Sequence, residues 1–188
     1  MRIVGGRWKG RALVAVGKGD AAARLRPTTD RVRESLFNVL AHGDYPELDG
    51  AHVLDLFAGT GALGLEALSR GGAHATFVEE GRVALGLLAK NLDLLDAAGQ
   101  ATVLKADATR LPKHRETPVS LVFADPPYGR GLAETALLAA ARGKWLAPDA
   151  VLVVEDRGAT PPPEGFAVLE ERRYGDSVLT ILRWHPGA

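Results

Sequence analysis

Apolar residues in this chain recur in two rhythms that alternate from residue 51 onward. Short runs in which most positions are apolar, His52–Phe57, Ala75–Glu79, Ala101–Lys105, Ser120–Ala124 and Ala150–Glu155, predict strands buried on both faces. Longer stretches between them predict helices over Ala62–Arg70, Arg82–Ala98 and Leu132–Trp145. Gly71-Gly72 and Gly99 follow the first two, and glycine just past a helix end is the expected stop. Strands separated by helices make βαβ units, hence a mostly parallel, doubly wound sheet covered on both faces. The rhythm then changes. Phe166–Tyr174 and Ser177–Trp184 are strand-like and joined by Gly175-Asp176, which predicts an antiparallel hairpin at the end of the sheet, after a stiff Pro161-Pro162-Pro163 link.

Upstream, the pattern is sparser. Residues 1–26 read as short extended pieces broken by Gly5-Gly6, Gly10, Gly17 and Gly19, an arm or hairpin rather than a core. Asp30 reads as the N-cap of a helix carrying Val32, Leu36, Phe37, Val39 and Leu40, and His42 to Gly50 reads as a loop. The predicted organisation is therefore a 1–26 extension and a 27–188 α/β domain. Charge sharpens this division. The chain is neutral overall, yet residues 1–33 hold nine cations against two anions, leaving seven net negative charges on the rest. A basic extension on an acidic body points to nucleic acid. With so little apolar surface, the extension is expected to be mobile until phosphates order it.

Composition removes several chemistries. The chain has no cysteine, which excludes disulfides, thiolate zinc, iron–sulfur clusters and a cysteine nucleophile. Its histidines (42, 52, 74, 114 and 185) never fall at helical i, i+3 or i, i+4 spacing, so no metal is expected. The basic start lacks the apolar stretch of a secretory signal, and no apolar run approaches the roughly 18 residues of a membrane span. A cytoplasmic protein is expected.

The first strand runs into Ala58-Gly-Thr-Gly61-Ala-Leu-Gly64, a glycine turn opening a helix. Glycines allow the dihedrals of such a turn and let a ligand approach the backbone. Glu79 ends the second strand, near the separation at which an acid meets a ribose diol. A pyrophosphate would be repelled by Asp55, four residues before the first glycine, whereas a cationic cofactor would be attracted. S-adenosylmethionine, with its sulfonium and ammonium, fits better than NAD. Asp107 closes the third strand at the same sheet edge, where it can serve adenine, cap the turn that follows, or both.

Asp125-Pro126-Pro127-Tyr128 follows the fourth strand. Two prolines fix φ and remove two N–H groups, leaving a rigid edge of acceptors beside an aromatic ring. That arrangement suits a planar base with an exocyclic amino group: acceptors take its hydrogens while Tyr128 stacks. Drawing on both N–H groups favours a pyramidal nitrogen whose lone pair can attack a methyl sulfonium in line. Positioning can supply about 7–11 kcal/mol of the barrier.

Taken together, these motifs resemble class I S-adenosylmethionine-dependent amino-methyltransferases, and more narrowly the RsmD family, which methylates N2 of a guanine in bacterial 16S ribosomal RNA. The resemblance covers nearly the whole chain, including Arg2–Arg11, Arg26–Leu40 and Leu54–Arg70. Thr60 and Tyr128 stand where the family often has Ser and Phe. The resemblance implies a Rossmann-like methyltransferase sheet with S-adenosylmethionine as cofactor. Asp55, Gly59 and Gly61 would hold its methionine part, with Phe57 also at the cofactor. Glu79 would take the ribose, and Ala106 with Asp107 the adenine. Asp125, Pro126 and Tyr128 would hold the base. Arg7, Lys9, Arg11, Arg26, Thr28 and Arg33 are the candidate RNA contacts. The implied partner is 16S ribosomal RNA, alone or within a partly assembled small subunit, and nothing in the sequence demands a dimer.

Three other functions compete. An adenine-N6 methyltransferase would use the same acceptor edge, but only 70 residues separate Asp55 from Asp125, leaving no room for an inserted target-recognition domain. A binding module that has lost catalysis is disfavoured by the intact turn and base site. A nucleotide-dependent oxidoreductase is disfavoured by Asp55.

Overall fold

The computed structural model describes residues 1–15, 29–127 and 131–187. Seven strands form one sheet in the order β3-β2-β1-β4-β5-β7-β6. They are β1 (His52–Leu56), β2 (His74–Glu79), β3 (Ala101–Lys105), β4 (Val119–Ala124), β5 (Leu146–Asp156), β6 (Phe166–Tyr174) and β7 (Ser177–Trp184). The first five run parallel, and β7 pairs antiparallel with both β5 and β6. This is the predicted doubly wound sheet with its terminal hairpin. Helices α1 (Asp30–His42), α2 (Ala62–Ser69) and α3 (Arg82–Leu94) cover one face, around Val53, Phe77 and Phe123. Helix α4 (Leu132–Arg142) covers the other, around Leu54, Leu56, Val122 and Leu152. Alternating residues of each central strand thus feed two separate cores, as the pleat requires.

Local chemistry moves several boundaries from those expected. The cap of α1 is Thr29, whose Oγ1 accepts from Val32 N, and not Asp30. The Asp30 carboxylate is instead taken by Arg2 N and by the Arg33 guanidinium. Helix α3 stops at Leu94, because Asp96 adopts a left-handed φ of 52° ahead of Gly99. Asp is one of the few residues with a side chain that tolerate this. Helix α4 stops at Arg142 because Trp145 turns away to stack on His114, with ring centroids 4.1 Å apart, and donates its N–H to Pro112 O. Strand β5 begins earlier than expected: Leu146 pairs with Val119, and the register slips before Val151 meets Leu121. A left-handed Asp149, φ 59°, lies in that slip.

The expected mobility of the extension is corrected for residues 1–15, which pack as a hairpin-like strap. Arg2 and Ala12 form an antiparallel bridge, and Ile3 and Leu13 are buried in the core shared with α1 to α3. Much of the anchor is polar. Val4 N donates to Glu66 Oε2 at 2.8 Å, and Trp8 N donates to Ser69 Oγ, which itself donates to Gly5 O. Glu66 is fully buried and paired with Arg70 at 2.8 Å, while the Arg70 guanidinium lies over Phe37. The strap supplies a backbone N–H to a buried carboxylate, which composition alone does not reveal.

Two glycines of the strap test this packing. Gly6 has φ 72°, and a methyl there would overlap the Ser69 carbonyl, whereas Gly10 has φ 85° and open space around it. Gly10→Ala should lose only the backbone strain, about 1–2 kcal/mol. Gly6→Ala should lose clearly more, read as a lower urea midpoint. Equal midpoints for the two variants would mean that the strap does not rest on α2.

Candidate active site

Parallel register gathers the predicted residues at one edge of the sheet. Leu56 pairs with Val78 on one side and Ala124 on the other, so Phe57, Glu79 and Asp125 follow the same row at three adjacent strand ends. Glu79 in turn pairs with Lys105, which places Ala106 and Asp107 just beyond it. With strands about 4.8 Å apart, the edge from Asp107 to Asp125 spans roughly 15 Å, the scale of a nucleoside and a base side by side. Tyr128, Arg26 and Thr28 lie outside the described residues.

The glycine turn is built on positive φ at alternate positions: Phe57 at 59°, Gly59 at 57° and Gly61 at 79°. For Phe57, a bulky residue with a Cβ, this is a strained conformation of the kind that collects at functional sites. Neighbours hold the turn in place. Ala58 N donates to Val78 O, and Gly59 N donates to Glu79 Oε2 at 2.9 Å. The other oxygen of Glu79 accepts from Glu80 N and Gly81 N. Glu79 therefore joins the end of β2 to the turn and to the start of α3. A carboxylate has further lone pairs, so a ribose diol remains within its capacity.

Asp55 is only 2 % exposed, and its Oδ2 accepts from Gly64 N at 2.9 Å. Gly64 allows this closeness: a Cβ there would press on the Phe77 ring and lie 3.1 Å from Asp55 Oδ2. Burial, with the nearby Glu79 charge adding to it, pushes the Asp55 carboxyl up to about 8, against the opposing pull of the Gly64 N–H. The carboxylate expected from the sequence to attract a cation is buried here and favours its neutral form at pH 7. Its geometry makes it a clamp between β1 and α2.

Asp107 is more open, and its Oδ1 accepts from both Thr109 Oγ1 (2.7 Å) and Thr109 N (2.8 Å). These bonds, with Arg110 nearby, hold its carboxyl below the usual range. It is thus a cap, and one well-ionised oxygen still faces outward toward Arg110. Asp125 is half-buried, Pro126 buried and Pro127 exposed. Among the described residues, no group of three His, Asp or Glu side chains could hold a metal. No described helix is long and apolar enough to cross a membrane.

The candidate RNA contacts separate. Arg33 is fully buried, donating to Arg2 O and to Asp30 Oδ1 at 2.9 Å, so it is removed from the candidate contacts; its work is to fix α1 to the strap. Arg7 lies over the Trp8 ring and donates to Gln100, and Arg11 donates to Leu94 O. Gln100 precedes β3 and Leu94 ends α3, so Arg7, Lys9 and Arg11 sit at the amino end of the sheet, one strand length from the glycine turn. A residue the sequence reading missed is Asn91, buried on α3 and bonded to Thr60 O within the turn. Its signal was a polar residue on the apolar stripe Ala84, Leu88, Leu95.

Comparison with known proteins agrees with this architecture. Residues 1–183 match the family model described as conserved hypothetical protein 95, the RsmD family. The chain belongs to this family. Its curated RsmD relatives include ribosomal RNA small subunit methyltransferase D of Escherichia coli K12, 43% identical over 97% of this chain and 89% of the relative. The protein of the same name from Haemophilus influenzae is 37% identical over 93% of this chain and 89% of the relative. The solved structure of Escherichia coli yhhF superposes with a TM-score of 0.81 at 40% identity, covering 98% of both chains.

The raised Asp55 carboxyl makes a pH prediction. Between about pH 4, where the unfolded chain loses this proton, and about pH 8, where the folded one does, the folded state holds the extra proton. Asp55 therefore contributes most below pH 4, and its contribution falls as pH rises to 8. In cofactor-free protein, the stability difference between wild type and Asp55→Asn should decline across that window, at up to about 1.4 kcal/mol per pH unit. A difference independent of pH in urea titrations would contradict the assignment.

Proposed function

We propose that this protein transfers the methyl group of S-adenosylmethionine to the N2 amino group of a guanine in 16S ribosomal RNA. The observation that supports the proposal is the shared row of strand ends, on which a glycine turn with an acid partner lies beside Asp125-Pro126-Pro127. Membership of the RsmD family, with relatives named ribosomal RNA small subunit methyltransferase D, supports the substrate.

Each residue has a physical task. The turn at Gly59 and Gly61 presents backbone without side chains, so the methionine end of the cofactor can lie close against it. Glu79 takes the ribose hydroxyls, and Ala106 and Asp107 the adenine. Asp55 acts on the cofactor by charge and by holding α2 in register. The cationic sulfonium and ammonium favour its anion, so binding near neutral pH expels the Asp55 proton. Asp125, together with main-chain carbonyls, accepts the guanine amino hydrogens, Pro126 stiffens that edge, and Tyr128 supplies the stacking ring. When bound, the cofactor supplies an electrophilic methyl; the protein aligns the amino lone pair with it and excludes water. Adenine-N6 transfer would draw on the same edge, and the product distinguishes the two.

Radiolabelled methyl transfer, offered 16S RNA, small ribosomal subunits and DNA separately, should label only the ribosomal substrates. Nucleoside digestion should then yield N2-methylguanosine. N6-methyladenosine, or labelled DNA, would overturn the proposal. Cofactor affinity measured calorimetrically should rise with pH up to about 8, the Asp55 value, and then level.

Two sets of variants separate base from phosphate contacts. Asp125→Ala should reduce turnover while leaving cofactor affinity largely intact, because its bonds strengthen as the nitrogen pyramidalises. Tyr128→Ala should lose stacking worth about 1–3 kcal/mol, and Tyr128→Phe should be mild. Charge reversal at Arg7, Lys9 and Arg11 should flatten the salt dependence of RNA binding, by about 0.7 in slope per phosphate contact on single strands. Superimposable salt curves would remove these three residues from the RNA interface.

A further inference from the structure

Asn91 uses its side-chain amide in both directions. Its Oδ1 accepts Val14 N at 2.7 Å, and its Nδ2 donates to Val14 O at 3.0 Å and to Thr60 O at 2.9 Å. One buried group therefore bonds both polar atoms of residue 14 and the centre of the Gly59-Thr60-Gly61 turn. Only a primary amide offers an acceptor and two donors on one short planar head. A second tie runs beside it: Leu13 N donates to Met1 O, and Thr60 Oγ1 lies 3.8 Å from Met1 Sδ. The strap thus meets the turn through the Thr60 carbonyl and again through its hydroxyl. Where no water can replace a lost partner, two elements joined this way do not shift independently.

We infer that Asn91 is a positioning residue that couples RNA engagement by the strap to cofactor binding at the glycine turn. The inference rests on the function proposed above. It gives the remote placement of Arg7, Lys9 and Arg11 a consequence. RNA bound to the packed strap at the amino end of the sheet biases the position of Thr60 at the carboxyl end through Asn91, and by linkage the cofactor returns the same factor to RNA binding. Gln at this position would carry the same groups one methylene too far. Asp would set an anion against two carbonyls.

The test compares S-adenosylmethionine affinity with and without RNA, supplied as a 16S transcript and as small subunits lacking the methylation. In the full-length wild type, RNA should tighten cofactor binding by about fivefold or more. In Asn91→Leu, confirmed as folded by circular dichroism, the ratio should fall toward one, to no more than the weak Met1–Thr60 contact can carry. Val14→Pro removes a single donor and leaves the Asn91–Thr60 bond, so its ratio should be intermediate. If Asn91→Leu does not fold, Val14→Pro decides. Wild-type ratios retained in the folded variants overturn the inference. So does a wild type that binds cofactor and RNA with no mutual effect, an outcome that leaves the proposed function standing. Absence of cofactor binding in the wild type would overturn both.

Discussion

The hydrogen bond from Gly64 N to Asp55 Oδ2 joins the last turn of strand chemistry to the first turn of helix chemistry. It lies within a buried site, where an unbonded carboxyl would be expensive, so β1 and α2 are held at one separation. The rest of the site inherits that separation. Gly61 can open α2 in a left-handed conformation, Gly59 can reach Glu79, and Phe57 can be kept in a strained dihedral because its neighbours on both sides are already fixed. The conformational cost of the turn is thus borne by packing of Val53 and Phe77 against α2, on the face that α1 to α3 cover.

How much of this was legible beforehand depended on the range of the interaction involved. Strand and helix rhythm is a local property, and β3, β6 and β7 fall on the residues their apolar pattern predicts. The acids at the strand ends were legible for the same reason, since each closes a run of apolar residues. Errors arose where a distant group competed for a local one. Asp30 has the chemistry of a cap, yet Arg2 and Arg33 claim its carboxylate and Thr29 caps in its place. Trp145 has the hydrophobicity of a helix end, yet His114 and Pro112 draw it out. Arg33 reads as an RNA-contacting cation in a basic stretch and is instead fully buried.

The strap shows the limit most clearly. Charge and glycine content describe residues 1–15 as a solvated extension, and both descriptors are correct as far as they go. What they omit is that Glu66, Ser69 and Asn91, far along the chain, each reserve buried polar atoms for strap backbone. Backbone groups are the same at every residue, so a partner chosen for its N–H leaves no mark on the side-chain pattern. Only the polar residues on otherwise apolar helix faces carry that information, and they carry it without naming the partner.

Strand β7 sits between β5 and β6, although β6 precedes it in the chain. During vectorial synthesis β6 therefore emerges before β7, the strand it pairs with. It must wait as an unpaired ribbon beside a sheet whose β5 edge is also open, a situation that invites pairing with a neighbouring nascent chain. Its sequence answers that hazard: Glu170, Glu171, Arg172 and Arg173 interrupt the apolar run of Phe166–Leu169, and a bulge breaks its register at Val168. Charges of this kind act as gatekeepers. The most polar strand of the sheet is thus one that keeps an open edge in the finished fold.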